Sequence, residues 1–179
     1  MAAKKLYVVG APSFSPPDTA VLRRLRARYH TGEASIIGPH VTFMFAIDAE
    51  AWGELRPHLM AVAKASVPVD LVLRRVMVKP EPATGKHYTF LMPQEGREAL
   101  TALYRTLHGG AFMRFISRDI SYDPHVSVGQ FTEPAAAQEL ADRLARDGVN
   151  YAGRIMQIDT VLTDGSSIVH YASMPLTGG

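Results

Sequence analysis

Cysteine is absent from the 179 residues of this chain. Disulfide bonds and thiolate metal sites are therefore excluded, which fits a reducing compartment. Long hydrophobic runs are missing as well. The apolar stretch at residues 6–9 ends before Pro12 and is too short for the core of a signal peptide or for a membrane-spanning helix. We therefore expect a cytoplasmic protein.

The number of charged residues of either sign is also modest. The 19 Lys and Arg residues and 17 Asp and Glu residues give a net charge of +2, and the isoelectric point is near 9.0. This mild excess is compatible with an anionic ligand but is far from that of a dedicated nucleic-acid coat. The hydrophobic content of 47% supports a globular protein with one substantial core or two small lobes.

Two short segments of the sequence share one pattern, PHVT at residues 39–42 and PHVS at residues 124–127. Each lies in an apolar run rich in β-branched and aromatic residues, which is typical of a strand. Alternate strand residues face the same side, so His40 is expected beside Thr42 and His125 beside Ser127. If the two strands meet, two imidazoles and two hydroxyls face one space, which suits acid/base chemistry on a phosphate.

The order of predicted elements repeats along the chain. Strand, helix, histidine strand, helix and strand occur in residues 5–79 and again in residues 86–162, and a final strand follows at 168–174. The predicted helices, with caps at Ser15, Asp48 and Thr132 for three of them, cover residues 16–29, 48–65, 94–108 and 134–147. The predicted strands cover residues 6–9, 40–45, 69–79, 86–92, 125–131, 151–162 and 168–174. A pseudo-twofold arrangement would bring the two histidine strands together.

The paired His-x-Thr/Ser motifs resemble those of the 2H phosphoesterase superfamily, which includes 2′-5′ RNA ligase-like proteins and 2′,3′-cyclic phosphodiesterases. The resemblance implies an α+β fold in a single domain, with two lobes that are each a small, mainly antiparallel sheet backed by helices, and with a central cleft. It implies an enzyme that acts without a cofactor or metal on a nucleotide or RNA end carrying a cyclic phosphate. We expect a monomer without an obligate protein partner.

Hydrolysis of a 2′,3′-cyclic phosphate needs one group to remove a proton from water and another to protonate the leaving ribose oxygen. His40 and His125 are the predicted acid/base pair, since an imidazole pKa of about 6.5 allows both states near neutral pH. Thr42 and Ser127 are predicted to donate hydrogen bonds to the non-bridging oxygens. The sequence does not decide which histidine is the acid. The resemblance implies that the product carries a 2′-phosphate.

Substrate recognition is predicted for Arg118 and Tyr122, because residues 112–122 interleave aromatic side chains with arginines. Tyr7 and Tyr88, at similar places in the two repeats, are further candidates for lining the cleft. Packing in the core is the alternative for each tyrosine. Two sets are expected to be structural or solvated: the arginines 23, 24, 26 and 28 on the first helix, and the histidines 30, 58, 108 and 170.

Several other functions are compatible with the same motifs. RNA 2′-5′ ligation or trimming of an RNA 3′ end would use the same site, whereas a non-catalytic RNA-binding module would keep only the fold. A zinc site formed by the two motif histidines and Asp123 is less favoured, because a third close ligand is not evident and no HExxH pattern occurs. The sequence TGKH at residues 84–87 lacks most of a phosphate loop and predicts a hairpin turn.

Overall fold

The computed structural model describes residues 4–30, 37–81, 84–116, 121–164 and 167–178. The strands are β1 (Lys5–Gly10), β2 (Ser13–Phe14), β3 (Val41–Asp48), β4 (Val69–Glu81), β5 (Lys86–Glu95), β6 (Val126–Phe131), β7 (Tyr151–Ile155), β8 (Gln157–Thr163) and β9 (Ile168–Pro175). The α-helices are α1 (Pro16–Tyr29), α2 (Trp52–Ala65), α3 (Arg97–Leu107) and α4 (Pro134–Asp147). Short 3₁₀ helices occupy Ala49–Ala51 and Gly110–Phe115.

The strands form two antiparallel sheets. One has the order β3-β1-β8-β9 and the other the order β2-β7-β4-β5-β6. The first sheet joins β1 and β3 of the first repeat to β8 of the second repeat and to β9, whereas the second sheet joins β5, β6 and β7 of the second repeat to β2 and β4 of the first. The two sheets therefore do not coincide with the two contiguous segments 5–79 and 86–162, because each segment gives its final strand to the partner sheet.

The helices show the same exchange. Helix α1 from the first repeat packs on β6 of the second, and helix α3 from the second repeat packs on β3 of the first, while α4 covers β4, β5 and β6. The buried residues from both repeats form a single hydrophobic core, which includes Val41, Phe43, Val126 and Val128. Burial of this shared apolar surface is the main force that holds the two sheets together.

One predicted strand is wrong in its length. Residues 151–162 are predicted to form one strand, but Met156 separates β7, which pairs with β4, from β8, which pairs with β1 and β9. Met156 is exposed, and its carbonyl accepts a hydrogen bond from the backbone N–H of Leu176 at 2.9 Å. The chain therefore passes from one sheet to the other at this residue, which a continuous β-rich pattern does not reveal.

The predicted helix starts are right in one case and wrong in three. Ser15 caps α1, its hydroxyl accepting from the backbone N–H of Asp18 at 3.3 Å. Asp48 makes no side-chain cap bond, its carboxylate pairs with Lys5 at 2.5 Å, and a 3₁₀ turn precedes the start of α2. Thr132 is not the cap of α4, which begins after Glu133 without a side-chain cap. Helix α3 begins at Arg97 because the preceding residue, Gly96, has φ +81°.

None of the helices in the described ranges is long and apolar enough to cross a membrane.

Candidate active site

Each histidine motif sits at the start of a strand, β3 or β6, and its side chains alternate as the sequence predicts. Val41 and Val126 are 0% exposed and point into the core. The residues that follow them, Thr42 and Ser127, are half-buried and lie on the opposite face of their sheets. Core packing of the two valines therefore determines which way the hydroxyls face.

The registers of the two sheets give each hydroxyl residue a strand neighbour. Thr42 pairs with Val9 on β1, and Ser127 pairs with Phe90 on β5. The Phe90 ring stacks on the imidazole of His125, with centroids 3.9 Å apart and an interplanar angle of 28°. An aromatic face on the ring of His125 restricts its rotation.

Both imidazoles are fixed through the same atom. His40 Nδ1 lies 2.9 Å from the carbonyl oxygen of Gly38, and His125 Nδ1 lies 2.7 Å from the carbonyl oxygen of Asp123. A carbonyl only accepts, so Nδ1 carries the proton and donates in both cases. This tautomer leaves the Nε2 lone pair of each neutral ring for proton transfer.

The environment of His40 strongly favours the neutral ring. Burial lowers the pKa of His40 from 6.5 to about 4, and nearby Arg26, His30 and His125 also lower it, whereas the hydrogen bond to Gly38 acts in the opposite direction. The influence of His125 shows that the two motif histidines, 85 positions apart in the sequence, lie within electrostatic range of each other.

His125 also has a lowered pKa, again mainly because of burial. Its hydrogen bond to the Asp123 carbonyl raises the pKa, the cation of Lys79 lowers it, and the Asp123 carboxylate raises it. Asp123 is itself paired with Lys79 and Arg97, each at 3.0 Å, and its side chain is 17% exposed. This ion-pair network borders His125. Among the described residues, the groups that influence the pKa of His40 include no comparable ion pair.

The zinc alternative finds little support from the position of Asp123. Its carboxylate forms ion pairs with Lys79 and Arg97. Within the part of the chain that the structure describes, no group of three or more His, Asp or Glu side chains is arranged to hold a metal ion.

The two tyrosines predicted from the repeats lie on the motif side of their sheets. Tyr7 pairs with Val161 and shares the face of Val9, beside Thr42. Tyr88 pairs with Gln130, whose Nε2 donates to the Tyr88 hydroxyl at 3.1 Å. Their roles in substrate binding remain predictions.

The other two predicted recognition residues are not brought to the site in the same way. Arg118 lies outside the described residues. Tyr122 stacks on Tyr104 of α3, with centroids 3.7 Å apart and an interplanar angle of 6°, and its buried hydroxyl has no partner among the described residues. This contact favours the packing alternative for Tyr122.

The aromatic and arginine residues just before the second motif also contact other parts of the protein. Phe112 stacks on His58, with ring centroids 4.2 Å apart. Arg114 forms an ion pair with Glu54, and its guanidinium carbon lies 4.6 Å from the centroid of the Phe115 ring. These side chains tie the 3₁₀ helix to α2 through packing and ion pairing.

The arginines on α1 behave as predicted with one exception. Arg23, Arg24 and Arg28 are exposed, and the last two border a cavity of about 510 Å³ between α1 and α4 that none of the predicted site residues lines. Arg26 is only 3% exposed, so the expectation of a solvated side chain is wrong for this residue. Its position, four residues after the buried Leu22, was the sequence signal for a place on the buried face.

Two further neighbours of the motifs were not predicted as site residues. His30 is 4% exposed and influences the pKa of His40. The centroid of its ring lies 6.0 Å from that of the Tyr88 ring. Phe90 covers the imidazole of His125. Pairing of β5 with β6 makes Phe90 a direct neighbour of Ser127, but the sequence does not provide the register of two strands that are this far apart.

The sequence model of the 2′-5′ RNA ligase superfamily matches residues 13–165, which include both histidine motifs. The chain belongs to this superfamily. The resemblance to 2H phosphoesterases and the predicted α+β fold of antiparallel sheets and helices are confirmed. The superfamily is one of phosphoesterase and ligase-like enzymes. A search of curated protein sequences found no match.

Solved structures with this fold cover almost the entire chain at low sequence identity. The TT0787 protein of Thermus thermophilus has a TM-score of 0.62 at 15% identity, with 97% of this chain and 98% of that chain covered. The LigT protein of E. coli complexed with 3′-AMP has a TM-score of 0.59 at 14% identity, with 98% and 99% covered. Usb1 of Kluyveromyces marxianus has a TM-score of 0.56 at 12% identity, with 98% and 99% covered.

Proposed function

We propose that this protein hydrolyses 2′,3′-cyclic phosphates of nucleotides or RNA ends, with His40 and His125 as the acid/base pair. The observation that carries the proposal is the matched fixation of the two imidazoles. Each donates from Nδ1 to the carbonyl of the residue two positions earlier, and each therefore keeps Nε2 for proton transfer. Membership of the superfamily and the complex of the similar LigT protein with 3′-AMP support this substrate class.

The reaction requires a balanced transfer of two protons. One neutral imidazole removes a proton from water through Nε2 while the water oxygen forms a bond to phosphorus. The opposite imidazolium donates its Nε2 proton to the ribose 3′ oxygen as the bond between phosphorus and that oxygen breaks. The product is a 2′-phosphomonoester, and the two histidines end the cycle with exchanged protonation states, which solvent resets.

Substrate charge is part of this mechanism. Both motif histidines have lowered pKa values, so both rings are neutral in the free protein at neutral pH. A bound cyclic phosphate carries a negative charge, which favours an imidazolium next to it. We therefore infer that substrate binding itself supplies the protonated acid. Thr42 and Ser127 would donate hydrogen bonds to the non-bridging oxygens, where negative charge develops.

The test is hydrolysis of the four 2′,3′-cyclic nucleotides by purified protein in excess EDTA, with phosphorus NMR of the product. We expect turnover to a 2′-phosphate and a loss of kcat of between about 10²- and 10⁴-fold in both His40→Ala and His125→Ala. His58→Ala is the matched control, because that histidine lies on α2 and contacts Leu107 and Phe112. Near-normal turnover by both motif variants would refute the proposal.

The alternatives predict different results in the same assay. A ligase would join an RNA 2′,3′-cyclic phosphate to a 5′-hydroxyl end, and an exonuclease would shorten an RNA that has a free 3′ hydroxyl. A non-catalytic binding module would show no turnover and would tolerate loss of one imidazole with only a modest change in affinity. Complete inhibition by EDTA would favour metal-dependent chemistry over the two-histidine mechanism.

A further inference from the structure

Arg26 is a buried charged residue that joins the two histidine motifs. Its guanidinium Nη1 donates to the backbone carbonyl of Ser127, and Nη2 donates to the backbone carbonyl of Ile37 at 3.0 Å. Ser127 belongs to the second motif, and Ile37 lies three residues before His40. A single side chain on α1 is therefore hydrogen-bonded to the backbone of β6 and to the backbone that leads into β3.

We propose that Arg26 is a positioning residue for catalysis, which holds the two motif histidines at the separation that a single phosphorus centre requires. This inference rests on the proposed function and adds a residue that acts through the backbone rather than by touching substrate. Proton transfer requires the donor and acceptor atoms to be placed within a fraction of an ångström, so a device that fixes one motif relative to the other has a direct effect on rate.

The chemistry of arginine suits this task better than that of lysine. The planar guanidinium presents several N–H donors in a rigid fork, so it can bind two separated carbonyls at once, whereas an ammonium group on a flexible stem is a point donor. Hydrogen bonds from a charged donor are also stronger than neutral ones. The 3% exposure of Arg26 keeps water from competing for either carbonyl.

In the second repeat, a different side-chain contact is found at the equivalent place. His30 is the C-cap residue of α1 and His108 is that of α3, and the residues four positions earlier are Arg26 and Tyr104. Tyr104 stacks on Tyr122, which lies three residues before His125, just as Ile37 lies three residues before His40. Each helix therefore supports the segment that enters one motif. Of these two contacts, only that of Arg26 extends to the opposite motif.

Two substitutions separate the bridging role of Arg26 from its charge. Arg26→Lys keeps a cation but lacks the fork, and Arg26→Met removes the cation as well. We expect both to lower kcat by about 10- to 100-fold with little change in KM, because the histidines are misplaced while the substrate contacts remain. Arg23→Lys, an exposed arginine on the same helix, is the matched control and should keep the activity of the wild type.

NMR of the histidine rings tests the same idea without turnover. Arg26→Lys should shift the ring signals of both His40 and His125, whereas Arg23→Lys should shift neither. Arg26→Met should also raise the pKa of His40, because the Arg26 cation lowers it, and Arg26→Lys should not. If the wild type turns over no cyclic phosphate, the proposed function fails, but these ring signals still test whether Arg26 positions both motifs.

Three results would overturn the inference. The first is wild-type kcat in the folded Lys variant. The second is a change in the ring signals of one motif histidine without the other. The third is a circular dichroism spectrum showing that Arg26→Lys is unfolded. That result would mean that Arg26 supports the whole fold rather than the relative placement of the two motifs.

Discussion

Replacing His30 with leucine is expected to make the fold less sensitive to acid. His30 is 4% exposed at the end of α1, and its Nδ1 has no hydrogen-bond partner among the described residues. Burial lowers the pKa of its imidazole from 6.5 to about 4, and the cations of Arg26 and Lys86 contribute to the decrease. The folded protein therefore keeps this ring neutral at pH values where the unfolded chain protonates it.

The sign and the size of the effect follow from proton linkage. Between pH 6.5 and pH 4 the unfolded chain binds more protons at His30 than the folded protein does, so the free energy of unfolding falls as the pH falls. With a pKa of about 4 in the folded state and about 6.5 in the unfolded state, His30 alone removes about 2 kcal/mol of stability between pH 7.5 and pH 5. At pH 7.5 and above, its contribution to the pH dependence is negligible.

Urea unfolding at pH 7.5 and pH 5 measures this contribution. We expect the wild type to lose about 2 kcal/mol more between the two pH values than His30→Leu does. His40, His108 and His125 also have lowered pKa values and are present in both proteins, so the difference reports His30 together with its influence on the pKa of His40. Equal losses in the two proteins would refute the reasoning. An NMR titration midpoint of the His30 ring near 6.5 in the folded wild type would refute its premise directly.

Three further predictions concern the candidate site. Thr42→Val and Ser127→Ala should each lower kcat for a cyclic nucleotide by about 10- to 10³-fold, because one donor to the developing charge is lost, while Ser127→Thr should retain activity. Lys79→Met should raise the pKa of His125 in an NMR titration, since a cation that disfavours the imidazolium is removed. The acid limb of kcat/KM in EDTA should lie below pH 6.5, because the pKa values of His40 and His125 are both lowered in the free protein.

The sequence was informative wherever a local pattern controls structure. The alternation that buries Val41 and Val126 and turns Thr42 and Ser127 to the other face follows from strand geometry alone. The Ser15 cap of α1 was likewise predicted from the sequence, because Ser followed by Pro and Asp is a local signal for the start of a helix. Such features depend on neighbours within a few residues.

Features that depend on distant partners were missed. Asp48 has the right residue type for a helix cap, but its carboxylate pairs with Lys5, 43 positions earlier. Met156 lies within a continuous β-rich run, and only the pairing of β7 with β4 and of β8 with β1 shows that the strand must divide. Residue type and spacing predict that an element exists, but they do not predict its tertiary partner.

Arg26 shows why charge patterns are ambiguous in sequence reasoning. Four arginines within six positions on one helix usually form a solvated face, and three of these side chains are in fact exposed. The fourth is one position after Leu25 and four after Leu22, on the side of the helix that packs against β6. An ion on an apolar face is costly unless its donors are satisfied, and this requirement is met by the carbonyls of Ser127 and Ile37 together with other nearby partners.

The exchange of strands and helices between the repeats explains why the candidate site can be assembled only by the whole fold. Strand β3 connects to β8 through β1, and β6 connects to β4 through β5, so each motif belongs to a sheet completed by the other repeat. Helix α1 packs on β6, and its Arg26 binds the backbone next to both motifs. We therefore expect a change in the packing of either repeat to affect both imidazoles, because the core beneath both motifs is built from side chains of both repeats.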